Sequence, residues 1–177
     1  VEVNDMKENT HKLDCPTFVI TVRFGKEKPS IYEVGDALFP LDQEVRVSLT
    51  KFKGVLVIYT KLSFHEVLTI LKKNPPAYIE RIVKVDRCCN IADLRDYVVD
   101  LLETSKVRIS SIRFGRKGSL SKDLMKAVER EVIKYIDRSS NIVLHIEPIN
   151  GLICLGLMKV GDDKFYMYRF RKIGFNL

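Results

Sequence analysis

Apolar and polar positions begin to alternate at Thr17, and the pattern predicts one element after another from there. Residues 17–24 (TFVITVRF) are rich in β-branched and aromatic side chains and read as a strand. The turn at 25–29 ends in Pro29, which suits the first position of a helix running to about Phe39. Strands follow at 44–50 (EVRVSLT) and 55–60 (VLVIYT), joined by a short turn at Gly54. Ser63 and Glu66 have capping-box spacing, in which a hydroxyl and a carboxylate satisfy each other's terminal N–H groups, so a helix is expected through Lys73. Asn74-Pro75-Pro76 stops it, and 79–86 (IERIVKVD) returns as a strand. The order βαββαβ predicts two split crossover units: a four-stranded antiparallel sheet with both helices on one face.

After Asp86 the pattern starts again. Asn90 suits an N-cap, and Leu94, Val98, Leu101 and Leu102 fall on one face of a helix to about Thr104. A basic strand is predicted over 106–114. Val107 and Ile109 share one parity and Ile112 and Phe114 the other, so a bulge near Ser110-Ser111 is expected, leaving Arg108 and Arg113 outward. Ser121 caps a long helix whose apolar stripe is Leu124, Val128, Val132, Tyr135 and Ile136. Two strands (142–149 and 151–160) and a last β-rich piece (164–170) complete the chain, and 151–160 is apolar at both alternating sets of positions, as in a covered central strand. The expected class is α+β: a flexible leader at 1–15, a ferredoxin-like βαββαβ domain at 16–87 and a second α/β domain at 88–177.

Charge adds a functional lead. The chain has a formal charge of +7, and its second half holds the larger share, with 16 Lys/Arg against 11 Asp/Glu in 89–177 and 14 against 12 in 1–88. The segment 105–122 carries Lys106, Arg108, Arg113, Arg116, Lys117 and Lys122 with no acidic residue, and 164–172 carries Arg169, Arg171 and Lys172 in a second acid-free run. Arginine forks suit phosphate, and Gly115 and Gly118 permit close backbone approach, so a nucleic acid is the expected partner. A solvated basic edge that only deters aggregation is the competing explanation.

Catalytic signals are weak. No phosphate-binding lysine loop, dinucleotide fingerprint, nucleophile elbow or HExxH occurs, so neither a cofactor nor a metal is expected. His11, His65 and His145 fall on a leader, a helix and a strand, and Asp93, Asp96 and Asp100 follow the spacing of a solvated helix face. Cys15, Cys88, Cys89 and Cys154 show no metal-binding spacing, and free thiols are expected, with the side chains of Cys88 and Cys89 diverging on an extended backbone. No apolar run is long enough to span a membrane and no secretory pattern opens the sequence, so a cytoplasmic protein is expected.

Three other readings fit less well. Asn74-Pro75-Pro76-Ala77-Tyr78 resembles the Asn-Pro-Pro-aromatic loop of amino-methylating enzymes, but it has alanine in the aromatic place and no methyl-donor turn upstream, so a helix stop explains it. An RNA-recognition motif would stack bases on central aromatics; residues 53–59 (KGVLVIY) offer aliphatics there, which suits a covered sheet face. An acylphosphatase needs an arginine cradle after its first strand and an asparagine near the middle strands. Arg23 is present, but 50–54 has no asparagine.

The segment IRFGRKGSLS followed by AVEREV, with a helix before it and two apolar strands after it, resembles the THUMP domain of tRNA-modifying enzymes from Cys88 onward. FVITVRFGKEKPSIYEVGDAL and VSLTKFKGVLVIYT resemble the ferredoxin-like module that precedes THUMP. Residues 136–142 depart from the Val-Asp-Leu…Asn-Pro-Asp stretch common in that family. The resemblance implies a grip on the acceptor stem and single-stranded 3′ end of tRNA. Arg113, Arg116, Lys117, Gly118, Ser119 and Lys122 are expected on the phosphates, and Lys106, Arg108, Arg169, Arg171 and Lys172 come second. With no catalytic domain in sight, the nearest counterparts are stand-alone adaptors of tRNA cytidine acetylation, which work beside a separate RNA acetyltransferase. The substrate-binding portion of a larger methyltransferase, thiolation enzyme or pseudouridine synthase is the alternative.

Overall fold

The computed structural model describes residues 14–171, so most of the expected leader, His11 and Lys172 lie outside the described residues. The first six elements are β1 (Phe18–Val22), α1 (Glu27–Leu38), β2 (Arg46–Leu49), β3 (Val55–Tyr59), α2 (Phe64–Lys73) and β4 (Ile79–Lys84). They form an antiparallel sheet in the order β2-β3-β1-β4, as the βαββαβ pattern predicts. The capping box is present: Ser63 Oγ accepts from the Glu66 N–H at 3.3 Å and Glu66 Oε2 accepts from the Ser63 N–H at 2.7 Å.

The second sheet has the order β5-β8-β7-β6. It comprises β5 (Arg87–Cys89), β6 (Ser111–Phe114), β7 (Ile142–Ile149) and β8 (Leu152–Lys159), with β6 parallel to β7 and the other pairs antiparallel. Helices α3 (Leu94–Ser105) and α4 (Lys122–Val132) cover one face, packing Leu94, Val98, Leu102 and Val128 onto Leu144, Ile146, Ile153 and Leu155. The chain passes between sheets at 84–87, where the Val85 N–H still bonds to Thr17 of the first sheet and the Asp86 N–H already bonds to Leu155 of the second.

The two sheets pack face to face. Val19, Val55, Val57 and Val83 meet Ile149, Leu152, Cys154 and Met158, giving four layers in the order helices, sheet, sheet, helices. A Cβ on Gly156 would collide with the Lys84 carbonyl oxygen, so β8 needs glycine where it meets β4. The sheet face that an RNA-recognition motif would use is therefore a buried core.

Three expectations are corrected. The piece 164–170 is no strand: α5 (Tyr166–Arg171) is helical, and Phe165 is fully buried in the first module's core with Tyr168 packed beside it. Three positions apart, those rings share a side of a helix but would face opposite ways on a strand. The tail thus returns to the ferredoxin-like module instead of finishing the second domain, with the Ile82 N–H bonded to the Asp163 carbonyl at 2.9 Å. The basic strand shrinks to four residues, because Lys106 takes a left-handed conformation (φ 54°) at the end of α3 and Ile109 makes only an isolated bridge to Ile136. That break accommodates the change of parity at Ser110.

The third correction concerns the cysteines. Cys15 and Cys88 form a disulfide, with Cα atoms 5.7 Å apart, while Cys89 and Cys154 are free and buried. Face-to-face sheets bring the approach to β1 beside β5, a proximity invisible across a separation of 73 residues. Cys88 and Cys89 do diverge, toward the inter-sheet core and the helix-covered core respectively. Burial pushes the Cys89 thiol up to about 11 and Cys154 to about 12.

Candidate nucleic-acid interface

The acid-free segment runs along one edge of the second sheet and spreads its cations over both ends. Arg108 donates to the Lys134 carbonyl, beyond the C-terminal end of α4, whereas Ser121 caps the opposite end by accepting from the Leu124 N–H at 3.1 Å. The 11 residues of α4 separate these points by about 16 Å. Lys106 and Arg108 therefore stand apart from Lys122, and the expected cradle is split.

Between those ends the arginines are engaged inside the protein. Gly115 lies against the Glu147 carboxylate so closely that any Cβ would clash. Arg116, left-handed at φ 44°, turns back to donate to that carboxylate and, at 2.6 Å, to the Pro148 carbonyl; its side chain is only 15 % exposed. Arg113 reaches the buried Asp163 at 3.3 Å but keeps 40 % of its side chain exposed. Arg169, 14 % exposed, donates to the Ile79 carbonyl and pairs with Glu80 at 3.0 Å. Arg116 and Arg169 thus serve the fold first, and Arg113 is shared between fold and solvent.

Asp163 and Glu147, each about 1 % exposed, meet Arg81 from the first module at 2.9 Å and 3.4 Å. Burial alone would raise the Asp163 carboxyl, but the hydrogen bond and charge of Arg81, with Arg113 beyond, hold it below the usual carboxylate range. His145 completes the group, its Nδ1 3.4 Å from Arg81 Nη2. A guanidinium only donates, so Nδ1 accepts and the proton sits on Nε2, which has no hydrogen-bond partner among the described residues. Burial, reinforced by Arg81 and Arg113 against the opposing pull of Asp163, lowers this imidazole to about 4 and keeps it neutral. An open cleft of about 390 Å³ leads to this network past Arg113, Phe114 and Glu129. The sequence carried a signal for it: His145 and Glu147 are polar, two apart, in an otherwise apolar strand.

One group of exposed residues from both modules lies at the end of the sheets where α4 begins. Gly118, Ser119 and Lys122 are exposed around the one-turn 3-10 helix Lys117–Ser119. The hairpin between β2 and β3 stands next to them. The Lys51 N–H donates to Asn150 Oδ1 at 2.6 Å, and Phe52 has the Arg116 guanidinium over its ring at 5.5 Å and Lys51 Nζ at 5.2 Å. Lys53 reaches Phe24, and Lys26 reaches Tyr78. Lys26, Lys51, Lys53 and Lys122 are exposed and have no ion-pair partner among the described residues. Sequence reasoning missed the hairpin lysines because they belong to the other module and are separated from Lys122 by about 70 positions.

The remaining sequence candidates resolve simply. Arg23 pairs with Glu80 at 3.0 Å, and Asn74 ends α2 while the Ala77 N–H bonds to Glu33. Among the described residues no group of three or more His, Cys, Asp or Glu is arranged to hold a metal ion, and no helix is long and apolar enough to cross a membrane.

No family model matches the chain, and neither does any curated protein. Solved structures do share its fold. PH1313 from Pyrococcus horikoshii aligns with a TM-score of 0.55 at 13 % identity, over 84 % of this chain and 55 % of its own. TrmN from Thermus thermophilus gives 0.55 at 15 % identity, over 91 % and 50 %. A possible methylase from Clostridium difficile gives 0.52 at 12 % identity, over 84 % and 42 %. The chain spans about half the length of the solved proteins it matches.

Proposed function

We propose that this protein is a tRNA-binding module of the THUMP type, which grips the acceptor stem and 3′ end and presents them to a separate modifying enzyme, an RNA cytidine acetyltransferase. The carrying observation is the meeting of exposed cations from both modules at one end of the molecule, Lys122 beside the Lys117–Ser119 turn and Lys51 and Lys53 on the hairpin. A double-stranded stem is read by shape and phosphate contacts, which a two-module basic end provides without base-specific side chains. The THUMP-like segment 112–132 supports the assignment to RNA modification, and the fold is shared with TrmN and with a possible methylase. In this reading the chain performs no chemistry, needs no cofactor and acts in the cytoplasm.

A second reading keeps the grip and joins it to a catalytic domain of methyltransferase, thiolation or pseudouridine synthase type. The solved chains that share the fold, of which this chain covers 55 % and 50 %, favour it. One reconstitution separates the two. The protein is added to an unmodified tRNA transcript, a purified RNA cytidine acetyltransferase and its acyl donor; acetylation that depends on the protein supports the adaptor. Tight tRNA binding without stimulation supports the second reading, and absence of tRNA binding contradicts both.

A further inference from the structure

The ferredoxin-like module carries an aromatic that the stem grip does not use. Phe24, in the loop after β1, is 73 % exposed, while Lys53 Nζ approaches its ring to 5.3 Å. A single exposed aromatic is ordinary on a protein surface. This one stands beside exposed lysines, with Lys26 two positions on in sequence and Lys53 over it, while the adjoining Arg23 is paired with Glu80, and the register of β1 slips between Thr21 and Val22 just before the loop. Such irregularities re-aim the side chains that follow. Phe52 links the spot to the second module through Arg116.

We infer that Phe24 is a stacking platform for an unpaired nucleotide, with Lys53 and Lys26 holding the adjoining phosphates. The inference rests on the RNA-binding reading above and adds a single-strand subsite on the first module. A base offers a π face of any sequence, and the pairing of an exposed ring with a positively charged track is what single-stranded nucleic acid requires. A duplex keeps its bases stacked inside and cannot use the ring, so the subsite discriminates an overhanging end from a blunt one. A docking surface for a protein is the competing use, and it predicts no dependence of RNA affinity on the ring.

The chain has no tryptophan, so Phe24→Trp creates a sole reporter. Full-length protein is titrated with a blunt RNA hairpin and with the same hairpin carrying a four-nucleotide 3′ overhang. The overhang is expected to quench the Trp emission and the blunt hairpin to leave it unchanged. Phe24→Ala is expected to weaken overhang binding by roughly 5- to 150-fold while leaving blunt binding as it was. Equal affinity of Phe24→Ala and wild type for the overhang, or loss in both RNAs alike, overturns the subsite and leaves the stem grip standing. Binding of neither RNA by wild type overturns the reading beneath it. The exposure of Phe24 keeps the variant folded, which a thermal melt verifies.

Discussion

Arg81 on β4 and Asp163, 82 positions later, form a 2.9 Å ion pair across the line where the two sheets meet. Asp163 also receives Arg113 and ends the stretch that returns to the first module, so one carboxylate ties β4, β6 and the C-terminal tail together. Asp163→Ala strands two guanidinium groups beside a buried position. The expected loss is about 3 kcal/mol of unfolding free energy, read as a lower urea midpoint. Lys122→Ala, at an exposed site, should stay within about 0.5 kcal/mol of wild type.

His145 predicts an acid limit to stability. Its ordinary value of 6.5 falls to about 4 in the folded protein, so unfolding takes up a proton between those two values. Stability is fully present above about pH 6.5 and declines as the pH falls to about 4, by about 3 kcal/mol in all. Asp163, held below its usual range, adds a further loss in the same direction at lower pH. Denaturant unfolding of wild type and His145→Gln across pH 4–7 checks this; the variant should show a flatter slope.

The Cys15–Cys88 disulfide should be worth about 2–4 kcal/mol in protein kept from reductant, because it closes a long loop across both modules. Thiol titration in denaturant should find the two free cysteines, Cys89 and Cys154, before reduction and four afterwards. Cys15→Ser should reproduce the melting temperature of the reduced wild type. In a reducing compartment the bond opens and that increment disappears.

Much of the first module was legible in sequence because its signals are local. The Ser63–Glu66 cap, the proline stop and the alternation in 55–60 each act within a few residues. What escaped depends on the packing of the two sheets. The run 164–170 alternates well enough for a strand, yet the first core had room for Phe165 and Tyr168 only on a helical turn. Closeness in sequence was equally misleading for the cations: Arg116 is spent on Glu147, which is 31 positions away, and Arg108 on the far end of α4. The lysines that join Lys122 come from a hairpin whose position follows from sheet-on-sheet packing alone.

That division of labour gives a fourth prediction. Arg116→Ala removes the nearer of two guanidinium partners of a carboxylate about 1 % exposed, leaving Arg81 at 3.4 Å, and the cover of Phe52, so it should cost stability by about 2 kcal/mol. Arg116→Lys should recover little of it, since an ammonium cannot bridge Glu147 and the Pro148 carbonyl as a planar fork does. Thermal melts of both variants check the point.

The central claim, that cations of both modules share one RNA, is tested most directly by the salt dependence of tRNA binding. Wild type should give a steep log-log slope, and the triple variant K51A/K53A/K122A a slope shallower by about two to three units, roughly one for each phosphate no longer neutralised, with the fold intact. A wild-type affinity indifferent to salt, or a triple variant with the wild-type slope, would contradict the account.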